Sequence, residues 1–416
     1  MAPRHLTGLV LLAALQLRCA GDVQVLGTNT ITNPSPGAAG TSAAGAGSAG
    51  SESGGAPPGS GGGPVLTDTT ARHVVELVGG PSSTCARFSD GTVDCWGTDY
   101  LAWQEGDDPG TPVPAPPHLI DGLSQVVRMG VSDTHLCAGL VDGSVTCFGV
   151  VRVSATVTNR VSTPSPVPEL AGVTQLAVAG QANCALLPDG TVKCWGHLLP
   201  GEAGSSCALN EVSCAPAFVP GLTGVKQLSL NSHACAVLTD GTVWCWGNND
   251  YGQVGNGEPP TTPTSTPSMV PGLTDVVEVA TAARSTCARS SSGTVSCWGV
   301  FDNVFSTPVH KTPTPVPGVT GAVQLVMGDS HRCARFQDGT VKCWGLNGSG
   351  QLPINPGQDV DVTEVAGLTD VVQLAAGGSH TCALRADASV VCWGYNGGLQ
   401  LGNASSDHTV PTPVDW

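Results

Sequence analysis

The chain has 416 residues, room for two or three ordinary domains, and carries 16 Lys+Arg against 32 Asp+Glu for a net charge of −16. That balance repels phosphate backbones and excludes nucleic acid as an expected partner. Only 12% of residues are charged while Gly (56) and Pro (32) abound, which suits a turn-rich β protein rather than a helical one, and no apolar run reaches the roughly 18–20 residues of a membrane-spanning helix.

Residues 1–21 read as an export signal. Arg4 supplies a basic start, and Leu6–Leu17 is a mostly apolar stretch of signal-core length, too short to span a bilayer. Cys19 follows at the position of the lipid-modified cysteine of bacterial lipoproteins, although Arg18 stands where those proteins prefer a small residue. Cleavage near Ala20 or Gly21, which would discard Cys19, is the competing reading. Both deliver the chain to an oxidising compartment, as a cell-envelope lipoprotein or a secreted protein.

Residues 22–66 form a linker, and from Asn33 to Gly63 it is almost entirely Gly, Ala, Ser and Pro. Such a segment buries too little apolar surface to offset its ordering entropy. It contains a formal GxGxxG, Gly45 to Gly50, with no strand before it and no helix after it, so composition explains it.

Residues 67–416 hold one pattern seven times. Its marks are two cysteines ten residues apart: Cys85 and Cys95, Cys137 and Cys147, Cys184 and Cys194, Cys235 and Cys245, Cys287 and Cys297, Cys333 and Cys343, Cys382 and Cys392. Successive units are displaced by 52, 47, 51, 52, 46 and 49 residues, a period that signals a propeller or solenoid. Asp90-Gly91 lies midway between the first pair, flanked by short apolar runs, which predicts a β-hairpin. A three-residue loop, Ser89-Asp90-Gly91, pairs Phe88 with Thr92 and sets Cys85 opposite Cys95, close enough for a disulfide. Further strands are expected upstream, such as Val276–Val279 and Val371–Leu374, together with a recurring Pro/Val segment such as Thr314–Val319. Three to four short strands per unit describe a propeller blade.

The unit resembles the repeat of the regulator-of-chromosome-condensation family. The resemblance rests on stretches such as Gly377-Gly378-Ser379-His380-Thr381-Cys382-Ala383-Leu384, followed by Asp-Gly and Val-x-Cys-Trp-Gly. The fourth repeat adds Asn248-Asn249-Asp250-Tyr251-Gly252-Gln253-Val254-Gly255, similar to an extension of that family, and the sixth and seventh keep parts of it. The likeness covers about 340 residues. It implies an all-β, seven-bladed β-propeller. Nucleotide exchange, the family's namesake activity, is not expected to follow from the fold alone.

The 17 cysteines divide into the seven hairpin pairs, an eighth pair of Cys207 and Cys214 in a polar loop, and Cys19. Disulfides are expected rather than zinc, because no closely spaced CxxC is present. His135, His233, His331 and His380 stand two residues before a first Cys, too dispersed to share a metal, and are read as hydrogen-bonding residues between blades. The once-per-blade tryptophans, with Phe148 as a substitute, are read as packing. Asp359-Val360-Asp361 is read as a surface loop. No nucleophile elbow, Walker loop or HExxH occurs, and no cofactor or metal is expected.

Two connecting segments differ from the common pattern. One holds Tyr100, Trp103, Glu105, Asp107 and Asp108, and the other is the loop from Cys207 to Cys214. Aromatic and acidic groups on loops over a rigid scaffold are the material of binding sites. The expected function is a non-enzymatic, monomeric scaffold outside the cytoplasm, binding a cell-surface protein or glycan and touching the membrane only through a lipid anchor. The alternatives are an inhibitor of an extracellular enzyme and a saccharide-acting enzyme. The latter needs paired acidic residues converging on the channel.

Two finer expectations follow. The tail Thr412–Trp416 looks like the Pro/Val segment and is expected to add a strand to the blade begun by residues 73–97, joining the chain ends. Ala388 stands where six other hairpins carry Gly, so a shared turn forces it into the left-handed conformation.

Overall fold

The computed structural model describes residues 72–99, 113–152, 158–180, 182–196, 216–260, 263–300, 309–352, 354, 360–406 and 408–416. Cys19, Cys207, Cys214 and the five candidate binding residues Tyr100, Trp103, Glu105, Asp107 and Asp108 lie outside them, as do the signal and linker.

The described chain folds into seven four-stranded antiparallel sheets, the blades of a β-propeller, with no helix among the described residues. Each blade is one contiguous stretch of chain. In blade 1 the strands run from the channel outwards as Val74–Gly79, Ser83–Phe88, Val93–Asp99 and Val113–Leu119. The central hairpin has the register implied by its loop. Phe88 N–H donates to Thr92 C=O at 2.9 Å, and Cys85 is paired with Cys95. The cross-strand disulfide expected from the ten-residue spacing forms in every blade. Cys85 bonds Cys95, Cys137 bonds Cys147, and Cys184 bonds Cys194 in blades 1 to 3. Cys235 bonds Cys245, Cys287 bonds Cys297, Cys333 bonds Cys343, and Cys382 bonds Cys392 in blades 4 to 7.

A single sheet has two faces to cover and no interior of its own, so burial occurs between blades. Seven hydrophobic clusters fill the seven interfaces. In each, a disulfide of one blade shares a cluster with the aromatic ring of the next. Cys235 and Cys245 lie with Trp298, Cys287 and Cys297 with Trp344, and Cys85 and Cys95 with Phe148. The invariant Ala after the first Cys is buried in every blade, where a larger side chain would hold the neighbouring sheet away.

Polar contacts cross the same interfaces nearer the channel. Gln175, Gln227, Gln324 and Gln373 occupy one register position on the innermost strands. Each clasps the backbone of the next blade: its amide donates to a carbonyl and its carbonyl accepts the N–H of the same residue. For Gln373 the partner is Leu77, at 3.0 and 2.9 Å. For Gln227 it is Val279, at 2.9 Å both ways. Glu278 can only accept, from Leu325 N–H at 3.0 Å, and Arg289 supplies the donor to Ala322 C=O at 3.2 Å. In blade 2, Arg128 donates to Val173 C=O at 2.9 Å.

Two sequence expectations are corrected here. The tail does not join the first blade. His408–Pro413 is the outer strand of blade 7, paired with Val390–Gly394 of its own sheet. Throughout the ring the Pro/Val strand closes the blade that precedes it, because a local hairpin connection brings it back beside the third strand before the chain crosses to the next blade. The first and last blades still meet at the C-terminal tail, through side chains. Trp416 packs edge-on against Phe88 and Trp96, with ring centroids 5.3 and 5.5 Å apart, and the Arg72 guanidinium lies over the Phe88 ring at 3.4 Å. The second correction concerns Asp361, which belongs to the outer strand of blade 6, Val360–Glu364, rather than to a loop.

The seventh hairpin shares the turn of the other six. Ala388 has φ 66°, and its N–H donates to Arg385 C=O at 3.0 Å, as Gly91 does to Phe88. Its Cβ therefore sits in the crowded left-handed region at a cost of about 1–2 kcal/mol. Ala388→Gly is expected to raise stability by about 0.5–1 kcal/mol, the unfolded chain's added freedom offsetting part of the relief. A lower denaturation midpoint under oxidising conditions would count against the strain. Gln373→Leu leaves both backbone groups of Leu77 unanswered at the join between first and last blades. It is expected to cost about 3 kcal/mol in the same measurement.

Candidate functional site

The strand order sorts the connections onto two faces. Hairpin tips and blade-to-blade links lie on one, where Val126 N–H donates to Gly91 C=O at 3.0 Å across blades 1 and 2. The turns after the innermost strands and the connectors between third and outer strands lie on the other, where Thr98 N–H donates to Ser82 C=O at 2.9 Å.

The tip face is built alike from blade to blade. In six blades an Asp at the tip accepts from the backbone N–H and hydroxyl of the residue two further on, as Asp90 does from Thr92 at 2.9 and 2.6 Å. Those hydrogen bonds hold the six carboxyls below their usual range.

The connector face is where blades differ. Three connectors share one architecture, those of blades 4, 6 and 7. In blade 4, Asn249 Oδ1 accepts from Val254 N–H at 3.1 Å and Gln253 Oε1 accepts from Tyr251 N–H at 2.8 Å. Asn347 with Gln351, and Asn396 with Gln400, repeat this in blades 6 and 7. The backbone carbonyl of that Gln then accepts the indole N–H of the next blade's tryptophan: Gln253 from Trp298 at 2.8 Å, Gln351 from Trp393 at 3.0 Å, Gln400 from Trp96 at 3.0 Å. The indole nitrogens of Trp246 and Trp344, which follow blades without this extension, have no such partner among the described residues.

The connectors of blades 1, 2, 3 and 5 depart from that architecture in sequence. Tyr100, Trp103, Glu105, Asp107 and Asp108 belong to the first, and Cys207 and Cys214 to the third. All seven lie outside the described residues, but the flanking strands bring both ends of each connector to the same face. The structure thus brings together the seven hairpin cysteine pairs and leaves the five proposed binding side chains unplaced.

The channel is lined by the innermost strands. A cavity of about 350 Å³ lies among residues including Glu76, Arg128, Gln175, Ser229 and Gln373. Glu76 and Glu278 bring carboxylates to this region, but each meets an arginine of its own blade, Arg87 or Arg289, at 2.6 Å. Burial nonetheless holds the Glu278 carboxyl above its usual range, with Arg289 opposing the shift. Among the described residues no group of three or more His, Cys, Asp or Glu could hold a metal ion.

The four histidines bridge blades as read from the sequence, and their partners add a rule the sequence reading missed. His135 Nε2 donates to Asn183 Oδ1 at 2.7 Å. His233 Nε2 lies 2.6 Å from Thr286 Oγ1 and must donate to it, because that hydroxyl itself donates to Gln253 C=O at 2.8 Å. His331 bonds Thr381, and His380 bonds Thr84, both at 2.8 Å. Where a blade lacks the His, the next blade lacks the Thr or Asn. Ser83 is followed by Leu136, Ala182 by Ala234, and Ser285 by Arg332, whose guanidinium reaches back to Ser285 Oγ at 2.7 Å. The signal was a correlation between neighbouring repeats, offset by one residue.

Burial holds these imidazoles neutral, with pKa values lowered to about 3 for His233 and His331 and about 4 for His380, and lowered also for His135. In the unfolded chain a histidine titrates near 6.5, so below that pH the unfolded state binds more protons. The contribution is complete above about 6.5 and is lost as pH falls towards the folded values, at about 2 kcal/mol by pH 5 for each of His233, His331 and His380. Denaturation midpoints are therefore expected to fall steeply from pH 7 to 4, and His233→Gln is expected to flatten the profile. A profile unchanged by that substitution would refute the assignment.

A family model described as the regulator of chromosome condensation (RCC1) repeat matches residues 240–289 and 338–384, and a second model of that description matches 322–351 and 371–398. Among curated proteins, the chain is 33% identical over 101 residues to human E3 ubiquitin-protein ligase HERC2, covering 23% of this chain and 2% of that protein. It is 34% identical over 103 residues to Protein pim1 of Schizosaccharomyces pombe, covering 21% of this chain and 19% of that one. These matches span only a small part of each relative. The fold aligns with Prp20p of Saccharomyces cerevisiae at TM-score 0.63 and 19% identity, over 83% of this chain and 87% of that one. It aligns with human WBSCR16 at TM-score 0.64 and 20% identity, over 78% and 95%.

Proposed function

Given that the chain carries regulator-of-chromosome-condensation repeats, we propose that it is a non-enzymatic binding scaffold acting outside the reducing cytoplasm. It engages a protein or glycan of the cell surface through the connector face of the propeller. The observation that carries this reading is the contrast between faces. Hairpin tips, disulfides and interblade contacts repeat, while the connectors of blades 1, 2, 3 and 5 each have their own length and sequence. A rigid ring presenting diverse loops on one side is the usual layout of a recognition surface. The scaffold reading is further supported by Prp20p, whose structure was described together with its binding properties to Gsp1p and histones.

The export reading rests on the N-terminal signal pattern and on seven disulfides, bonds that form and persist in oxidising surroundings. The enzyme alternative finds no support in the channel, where Glu76 and Glu278 are each taken up by an arginine.

Tyr100 and Trp103 are the anchors this reading assigns. Surface proteins and a glycan array probed with the purified propeller and with a Tyr100→Ala/Trp103→Ala variant test it. The expected result is at least about a tenfold loss of captured ligand at an unchanged melting temperature. Equal capture by both proteins refutes the anchor assignment. For Cys19, metabolic labelling with a fatty-acid analogue is expected to mark the wild type and spare Cys19→Ser, whereas label that survives the substitution excludes Cys19 as the attachment point.

A further inference from the structure

The outer strand of each blade is an open sheet edge, and such edges invite pairing with another chain. The seven outer strands share one register, because each is followed by a residue whose N–H donates to the third strand, as Val316 does to Val295 and Val365 to Val341 at 2.9 and 2.8 Å. Three positions before that anchor, six blades carry proline: Pro117, Pro164, Pro216, Pro267, Pro313 and Pro411. Blades 2, 5 and 7 add a second, Pro166, Pro315 and Pro413, one position before the anchor. In an antiparallel ladder the residue next to an inward-bonding one turns its N–H outwards. Proline there leaves an incoming strand without a donor, and proline two residues earlier, beside the bulge in the outer strand, removes another.

Blade 6 departs from this pattern. Its outer strand, Val360–Glu364, has Val362 and Glu364 at the two positions and no proline at all. Every residue of it carries an N–H. Among the described residues the strand is last in its sheet and paired only with Val341–Gly345, and Asp361 and Glu364 are exposed. Lys342 stands opposite Glu364 in the ladder, but its ammonium is drawn over the Phe336 ring, 5.1 Å from the centroid.

We propose that this edge of blade 6 is a docking site for an extended cationic peptide segment, which adds to the blade as a fifth strand. Main-chain hydrogen bonds hold such a strand, and side chains on alternate positions select it. The selecting groups here are the carboxylates of Asp361 and Glu364, on a chain of net charge −16. A second copy of the propeller would set those carboxylates against their own kind, and like charges on paired strands destabilise the pair. The occupant is therefore a basic strand. The site is separate from the connector face and stands whether or not that face binds a partner.

The test is calorimetric titration of the full chain with a short, end-capped peptide of alternating lysine and valine, and with its glutamate–valine counterpart. The lysine peptide is expected to bind saturably and the glutamate peptide not at all. Val362→Pro installs the residue that six blades already carry at this register, so the fold is expected to persist by circular dichroism while affinity falls at least about tenfold. Glu364→Pro is expected to do the same, and Asp361→Lys/Glu364→Lys to transfer binding to the glutamate peptide. Tyr100→Ala/Trp103→Ala is expected to leave this titration unchanged. Equal affinity in Val362→Pro, no saturable binding by the wild type, or a wild-type dimer abolished by Val362→Pro would each overturn the proposal. A Val362→Pro chain that fails to fold would refute the common register on which it rests.

Discussion

A blade of this propeller is one sheet thick, and no cluster of buried side chains is contained within it. The hydrophobic core of the fold lies in the seams between blades. The disulfide of one blade packs beside the indole of the next, as Cys333 and Cys343 do with Trp393, and Cys382 and Cys392 with Trp96. This contact is made six times with tryptophan and once with Phe148. The hairpin disulfide therefore has two effects. It holds two strands in register, and it presents a flat, buried sulfur surface for the adjoining ring. The second effect explains why the residue beside the first Cys is always Ala and the residue two before the second is always Val.

The polar contacts have the same directionality. The Gln clasps, the histidine bridges and the indole bonds all run from one blade to the next around the ring, and the last blade addresses the first through Gln373, His380 and Gln400. Among the described residues no strand is exchanged at that seam. It has the disulfide–ring packing found at every seam and the full set of Gln, His and indole contacts also made between blades 4 and 5 and between blades 6 and 7, supplemented by Trp416 against Phe88 and Trp96. Each such contact answers a group that would otherwise be buried without a partner. An error in one blade is therefore felt in its neighbour, as the paired changes Ser285 with Arg332 and Ser83 with Leu136 show.

The hairpins were readable from sequence because a loop of fixed length with Gly at its third residue determines which residues face each other. The pairing of Cys137 with Cys147 or Cys184 with Cys194 follows from that loop alone. Even the exception, Ala388, could be placed on that basis. The home of the Pro/Val strand was not readable: a strand's own residues do not say which of two open edges it joins, and a local connection settled the matter in favour of the preceding blade. Asp361 was misread for a related reason, since two acidic residues around Val360 look like a loop until the register of the outer strand is known. The Gln clasp escaped notice because its partner is backbone, which leaves no mark in the sequence. The histidine bridges were half legible: the donors stood out as a repeated His, while the acceptors lie one repeat later and one residue along. The proposed binding residues from Tyr100 to Asp108 were singled out by their chemistry alone, and no repeated geometry constrains a connector that differs from its counterparts.

That each blade is an unbroken stretch of chain bears on how such a ring can change. Six blade-to-blade links are covalent, and at the seventh junction the first and last described residues of the propeller, Arg72 and Trp416, both rest on Phe88. A link introduced there would make all seven junctions equivalent, and the chain could be opened at any other without dividing a sheet. By the same token, duplication or loss of one repeat adds or removes a whole blade together with its connector. Recognition loops can thus be shuffled as units while the contacts that close the ring stay the same.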